Sequence, residues 1–238
     1  MEKQRLDKII ASTGKWSRRD VKLLIKQGRV LVDDIPARAS DEKCDPEHVR
    51  ITVDGEDIGY RRVTWLMMNK PAGYLSATED GRGETVLDLL PQELQRQELF
   101  PVGRLDKDTE GLLLLTNDGA LAHKLLSPKY HVDKVYYTKV KGCLEEEDCR
   151  AFLEGIVLED GLRCMPAELK ILSAGEVSEA NVTLREGKFH QVKRMLASRG
   201  KPVQYLRRIK MGKMTLDPAL QLGNYRFLNE DEIKKLQE

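Results

Sequence analysis

The sequence predicts an α+β protein of two domains. A small helix-rich head with a minor sheet covers residues 1–60, and a larger domain over residues 61–238 is built on a mixed, mostly antiparallel sheet with flanking helices. Three observations predict it. Positive charge concentrates at one end of the chain, helical periodicity dominates that end, and from Tyr60 onward short apolar segments are punctuated by Gly, Pro and Asp.

At 238 residues the chain is long enough for a substantial core. With 40 Lys+Arg against 39 Asp+Glu, the overall net charge of +1 points to no partner. The distribution is more telling. Residues 1–38 hold 10 basic and 5 acidic residues, which leaves 30 basic and 34 acidic, a net of −4, for residues 39–238. A basic head on a slightly acidic body is the pattern of a polyanion-binding module joined to something else. The cysteines Cys44, Cys143, Cys149 and Cys164 form no Cys-x-x-Cys pair or common zinc spacing, so they read as reduced thiols. No apolar run approaches the roughly 20 residues that span a bilayer. The opening "MEKQRLDKII" lacks the apolar centre of a signal peptide, which leaves the cytoplasm as the expected location and excludes a membrane partner.

In the head, Ser17 and Asp20 form a capping-box pattern and Gly28 a stop, predicting a helix over residues 18–27. Winding it places Arg18, Arg19, Lys22 and Lys26 on one arc and Val21, Leu24 and Ile25 on another. With Lys15, this single-sign face is a candidate RNA-binding surface; Trp16 is its only aromatic, which favours backbone and shape recognition of folded RNA over stacking on single strands. "RVLVDDIPAR" and "HVRITVDG" read as short strands with turns, and residues 59–62 as the linker. Beyond it, "VTWLMMNKPAGYLSA", "GLLLLT", "VYYTKVKG", "AELKIL", "ANVTLREG" and "PVQYLRRIKMGKMTL" read as the strands of the larger sheet. Helices are predicted near 121–126, 145–154 and 189–199.

In the stretch "GRLDKDTEGLLLLTNDG", three carboxylates and two basic residues precede a run of four leucines. Read as a calcium loop, Asp106, Asp108, Glu110 and Gly111 occupy suitable positions, but Leu114 and Asn117 stand where later ligands belong and no helix precedes, so no metal is expected. "GLLLLT" instead reads as a strand buried on both faces, with the charged loop at its entrance. Such a loop is either a structural turn or the place where a rigid scaffold presents a reactive carboxylate. A second basic cluster favours the reactive reading. In "LREGKFHQVKRMLASRG", Phe189, Val192, Met195 and Leu196 fall on one helical arc and His190, Lys193 and Arg194 on the opposite one. A carboxylate working beside an RNA backbone needs positive charge close by.

These motifs carry a resemblance. "GRLDKDTEGLLLLTNDG" resembles the signature of RNA pseudouridine synthases of the ribosomal small-subunit (RsuA-like) branch, and "NKPAGYLSAT", "KVYY" and "EGKFHQVKRML" are similar to the family's other motifs, in order. The N-terminal "RLDKIIASTGKWSRRDVKLLIKQGRVLVD" resembles the S4-like (alpha-L) RNA-binding module. The resemblance implies an S4-like domain followed by a pseudouridine synthase domain, and cofactor-free isomerisation of a uridine within RNA. Asp106 is implied as the essential carboxylate, attacking the sugar or taking a proton from it. Tyr136 would stack on the target base, with Tyr137 a competitor for that role, and Lys193 would pair with Asp106. Arg104 would fill the space the flipped base vacates, Leu196 would line the pocket, and His190 and Arg194 join them as candidate substrate-binding residues. The implied substrate is 16S ribosomal RNA of the small subunit, at a position-516-type uridine, met within an assembly intermediate by a monomeric enzyme. Alternatives are a large-subunit (23S) ribosomal RNA synthase and a non-catalytic RNA-binding assembly factor.

Overall fold

A computed structural model describes residues 3–81 and 83–238. The chain divides into two compact units, Met1–Thr64 with Leu90–Leu99, and Trp65–Leu89 with Phe100–Glu238.

The first unit runs β1 (Gln4–Arg5), α1 (Leu6–Ser12), α2 (Arg18–Lys26), β2 (Val30–Val32), β3 (Ile35–Pro36), β4 (Lys43–Cys44), β5 (Ile51–Val53) and β6 (Glu56–Asp57), and adds α3 (Gln92–Gln95). The capping box at α2 is present: Asp20 N donates to Ser17 Oγ at 3.2 Å, and Ser17 N donates to Asp20 Oδ2 at 3.0 Å. Both helices bury their apolar arcs, Leu6, Ile9 and Ile10 from α1 and Val21, Leu24 and Ile25 from α2, against Val30, Ile51 and Val53 of an antiparallel sheet ordered β3-β2-β5-β6. The hairpins turn at Asp33-Asp34 and at Asp54-Gly55, where all four residues take positive φ, as type I′ turns demand. The excursion Leu90–Leu99 is invisible in a linear division at residue 60. It packs tightly on this unit at Gly14, where an added Cβ would lie 1.8 Å from Glu93 O, and Gln97 Nε2 donates to Thr13 O at 3.0 Å.

The second unit comprises β7 (Trp65–Lys70), β8 (Phe100–Pro101), β9 (Glu110–Thr116), α4 (Gly119–Leu126), a 3-10 turn (Pro128–Tyr130), β10 (Lys134–Lys141), α5 (Glu146–Glu154), β11 (Glu168–Ser173), β12 (Val177–Leu184), α6 (Gln191–Ser198), β13 (Val203–Met211), β14 (Met214–Thr215), β15 (Tyr225–Phe227) and α7 (Glu230–Gln237). Its sheet is ordered β11-β12-β10-β13-β9-β7-β15, with β14 on β13 and β8 on β9. Among the described residues β9–β13 is the one parallel strand pairing in it, so the sheet is mixed and mostly antiparallel. The leucine run is a central strand. Gly111–Thr116 are all buried, as are all six residues of β7 beside it, whereas β12 alternates buried and half-exposed residues because one face of it is open.

Two apolar clusters meet along β13. Leu206 packs in one with α5 and α6 residues such as Phe152, Val192 and Leu196; Met211 packs in the other with Leu121 and Leu125 of α4 and Leu236 of α7. Helix α7 has no counterpart in the sequence reading, although Asn229 and Glu232 form a capping box at its start. The helix expected from residue 189 begins at Gln191. His190 is its left-handed N-cap (φ 48°), and Phe189 lies outside it, 74% exposed, not on the buried arc.

Candidate active site

The loop between β8 and β9 is fastened from beneath. Ser76 Oγ accepts from Leu105 N at 3.1 Å and donates to Leu105 O at 3.0 Å, and Gly73 N donates to Lys107 O at 2.7 Å. Lys70, at the end of β7 and fully buried, aims its ammonium at four carbonyl oxygens: Thr109 at 2.9 Å, Pro71 at 3.0 Å, Asp106 at 3.2 Å and Lys107 at 3.3 Å. Burial pushes this ammonium from the ordinary 10.5 down to about 8, although the carboxylates of Asp108, Glu110 and Asp106 pull the other way. Sequence reasoning found "NKPAGYLSAT" as a motif but gave Lys70 no role. Its signal was a lysine closing a strand that is apolar but for Asn69.

The loop so held presents Asp106 to α6. Lys193 Nζ stands 3.0 Å from Asp106 Oδ2, and His190 Nε2 is 3.6 Å from Oδ1. The same ammonium donates to Asp108 Oδ1 at 2.5 Å. Burial works against the charge on Lys193, but hydrogen bonds to Asp108 and Asp106 outweigh it and raise its pKa, while the bond from Lys193 holds Asp108 below the usual carboxylate range. The half-match to a calcium loop takes a different form: Asp106 and Asp108 converge on an ammonium, and Glu110 accepts a 2.7 Å hydrogen bond from Tyr205 Oη. Burial and Glu110 together push the Tyr205 phenol up to about 12. Among the described residues no group of three or more His, Cys, Asp or Glu is placed to hold a metal ion.

Tyr136 is half-buried on β10 against the cluster that contains Val192, Met195 and Leu196 of α6, so it shares the α6 face of the sheet. Tyr137 projects to the other face, edge-on to Tyr205 with ring centroids 6.1 Å apart. Leu196 is wholly enclosed in that cluster. Arg194 is engaged by Asp160, Nη2 to Oδ2 at 2.5 Å. Arg104 is exposed two residues before Asp106. Two buried cations were missed. Arg208 pairs in register with Tyr136 and Gly111, is 1% exposed and donates from Nε to Leu112 O at 2.8 Å, while its Nη2 has no hydrogen-bond partner among the described residues. Lys134, two residues from Tyr136, has its pKa lowered by burial and then by Arg208.

In the first unit Lys15, Arg19, Lys22 and Lys26 are exposed and in no ion pair among the described residues. Arg18 is different. Its Nη2 sits 3.0 Å from Oδ2 of the fully buried Asp7, which Arg5 also binds at 3.0 Å. The four cysteines are free thiols. No helix among the described residues is long and apolar enough to cross a membrane.

The RNA pseudouridylate synthase family model matches residues 64–198 and the S4 domain model residues 4–49. The chain is 50% identical over 236 residues to the "Uncharacterized RNA pseudouridine synthase YtzG" of Bacillus subtilis, covering 98% of each. It is 37% identical to the ribosomal small subunit pseudouridine synthase A of Vibrio cholerae, over 98% of this chain and 99% of that one. It is also 37% identical to the ribosomal large subunit pseudouridine synthase B of Bacillus subtilis, over 98% and 95%. A crystal structure described as a pseudouridylate synthase superposes with TM-score 0.69 at 35% identity, covering 98% and 99%. With its charged loop, its Asp106–Lys193 pair and an RNA-binding S4 domain before them, the chain belongs to the RNA pseudouridine synthase family and is an enzyme of that kind.

Proposed function

We propose that the protein converts one uridine of ribosomal RNA to pseudouridine in the bacterial cytoplasm, acting as a monomer without a cofactor, and that Asp106 is the essential carboxylate. The observation that carries this is the 3.0 Å pair of Asp106 with Lys193 on a loop whose backbone is held by a buried lysine. The N1–C1′ bond of the flipped uridine breaks with its electron pair leaving on the uracil. Asp106 either bonds to C1′ or takes a proton from the sugar. The uracil turns, and C5 bonds to C1′ as the Asp106–C1′ bond breaks or, in the other case, as Asp106 returns its proton to the sugar; the C5 proton is then lost to solvent and N1 takes one up. Lys193 compensates the charge on Asp106, and Tyr136, on the α6 face, stacks on the base.

Small-subunit RNA, at the position-516-type uridine and within an assembly intermediate, is the favoured substrate. Similarity to a small-subunit and to a large-subunit synthase at the same 37% makes a direct comparison of the two RNAs the necessary control. The test is tritium release from RNA labelled at uridine C5, with naked 16S RNA, its partly assembled particle and 23S RNA, for wild type and Asp106→Asn. Release by wild type alone, with RNA binding retained by the variant, is expected. Equal release by both proteins refutes the role of Asp106, and release from 23S RNA alone reassigns the substrate.

A further inference from the structure

Phe189 has no role in the chemistry above, yet it is the most exposed large apolar side chain among the described residues, at 74%. Its ring lies flat on His190, with centroids 3.8 Å apart and planes 17° from parallel, and His190 Nε2 in turn is 3.6 Å from Asp106 Oδ1. One face of an aromatic pair therefore stands open to solvent a single ring away from the group proposed to do the chemistry. An isolated exposed phenylalanine at a remote surface needs no explanation. Beside the centre of an RNA enzyme it offers a π-face at the place where bases pass.

The pair is held rigidly. Lys188 N donates to Gln191 Oε1 at 2.9 Å, Gln191 Nε2 donates to Glu186 Oε1 at 2.5 Å, and Lys188 Nζ reaches Arg163 O at 2.6 Å. His190 takes a left-handed backbone (φ 48°, ψ 33°), a conformation that His, like Asn and Asp, adopts more readily than most residues, and it sets the direction in which the chain enters α6. With the residues flanking the pair tied in this way, Phe189 points away from the cluster that takes Val192 and Met195, three and six residues further on. Its outward direction is thus built in, and a fixed ring loses little freedom when a base settles on it.

We propose that the Phe189–His190 pair is a stacking subsite for the nucleobase adjoining the target uridine in the RNA strand. Extruding a nucleotide removes a stacking neighbour from the bases on either side. Phe189 replaces that neighbour, favouring the flipped state and setting a preference for nucleotides that stack well. This rests on the RNA-isomerase reading above and adds to it a binding residue that touches RNA but not the reacting atoms.

The test compares wild type with Phe189→Ala, Phe189→Leu and Phe189→Trp, using C5-tritium release from in vitro transcribed ribosomal RNA and filter binding of the same RNA over a range of salt. The exposed position makes an unchanged melting temperature the expected control. Phe189→Ala and Phe189→Leu are expected to lower kcat/KM and RNA affinity about tenfold, the order that one base–aromatic stack supplies, while Phe189→Trp stays within about threefold of wild type. Because no phosphate contact is removed, the slope of log Kd against log salt should not change. Once the modified uridine is mapped on the wild-type product, an oligonucleotide abasic at the adjoining nucleotide should lose the same factor with wild type and nothing further with Phe189→Ala. All three variants matching wild type, Phe189→Trp as impaired as Phe189→Ala, or additive losses in the abasic comparison would overturn the subsite. Absence of turnover by wild type is a separate result. It removes the isomerase reading, and the affinity comparison between Ala, Leu and Trp variants still decides the subsite.

Discussion

Replacing Lys70 by Met separates what a buried ammonium does for the fold from what it does for the loop that carries Asp106. The side chain is fully buried and its ammonium faces four carbonyl oxygens at 2.9–3.3 Å, three of them in the loop. Three protons at roughly 1.5 kcal/mol per charge-assisted bond give about 4–5 kcal/mol. Against this stands what remains of the burial penalty after the nearby carboxylates pull the other way: a fall from 10.5 to about 8 corresponds to about 3 kcal/mol at roughly 1.4 kcal/mol per tenfold. Lys70→Met removes both, so at neutral pH the net loss is about 1–2 kcal/mol. The sign with pH follows from linkage. The folded chain releases this proton near pH 8 and the unfolded chain near 10.5, so the unfolded state binds more protons in between, and stability rises across that window by up to about 3 kcal/mol. Turnover moves the opposite way, because a neutral amine holds the loop carbonyls less firmly, and a misplacement of about 1 Å costs on the order of 10²-fold. Urea unfolding between pH 7 and 10.5, followed by fluorescence of the core residue Trp65, should show the rise in wild type and its loss in the variant. Tritium release should fall about 10²-fold in Lys70→Met with RNA affinity intact. Wild-type turnover in the variant, or an undiminished rise of its stability with pH, would refute the reasoning.

Asp7→Asn should destabilise the first unit by about 3 kcal/mol in chemical denaturation, because it leaves Arg5 and Arg18 facing a neutral amide at a fully buried position. The Arg5 hydrogen bond first, and then Arg18, hold the Asp7 carboxyl below its ordinary 3.8 despite burial; its stabilisation is therefore present above that pH and lost as pH falls below it, and the variant should lack this acid-side loss. Arg18→Ala should lower both melting temperature and RNA affinity. By contrast Arg19→Ala, Lys22→Ala and Lys26→Ala should lower affinity alone, each reducing the salt slope by about one, as filter binding over a salt series would register. Gly111→Ala should cost more than about 3 kcal/mol, since the residue sits at φ +101° and an added Cβ would lie 2.2 Å from Arg208 O; a soluble variant with an unchanged melting temperature would contradict that close approach.

What the sequence revealed and what it hid differ in the range of the interactions responsible. "GLLLLT" reads as a central strand because burial on both faces imposes a continuous apolar run, and that run made the adjoining charges conspicuous. The capping box at Ser17 was legible because both partners lie within one helical turn. Arg18 and Arg19 look equivalent on a helical wheel, yet Asp7, eleven residues upstream, takes one of them and not the other. A helix wound from residue 189 groups Phe189 with Val192, Met195 and Leu196, but the helix begins two residues later. The left-handed His190 resets the phase, and nothing in the local pattern "GKFHQVKRM" marks where the helix begins. Lys70 and Arg208 depend on partners 36–39 and 96 residues away, beyond the reach of any periodicity. Lys70 did leave one trace, a lysine closing a β-segment that is apolar but for Asn69, whereas Arg208 stands among Gln204, Arg207 and Lys210 and left none. Burying an unpaired charge is costly enough that such a residue has to be answered by polar groups elsewhere in the fold. Here the groups answering Lys70 are the backbone carbonyls of the loop that carries Asp106, so the anomaly in the strand points to the site before any contact is known.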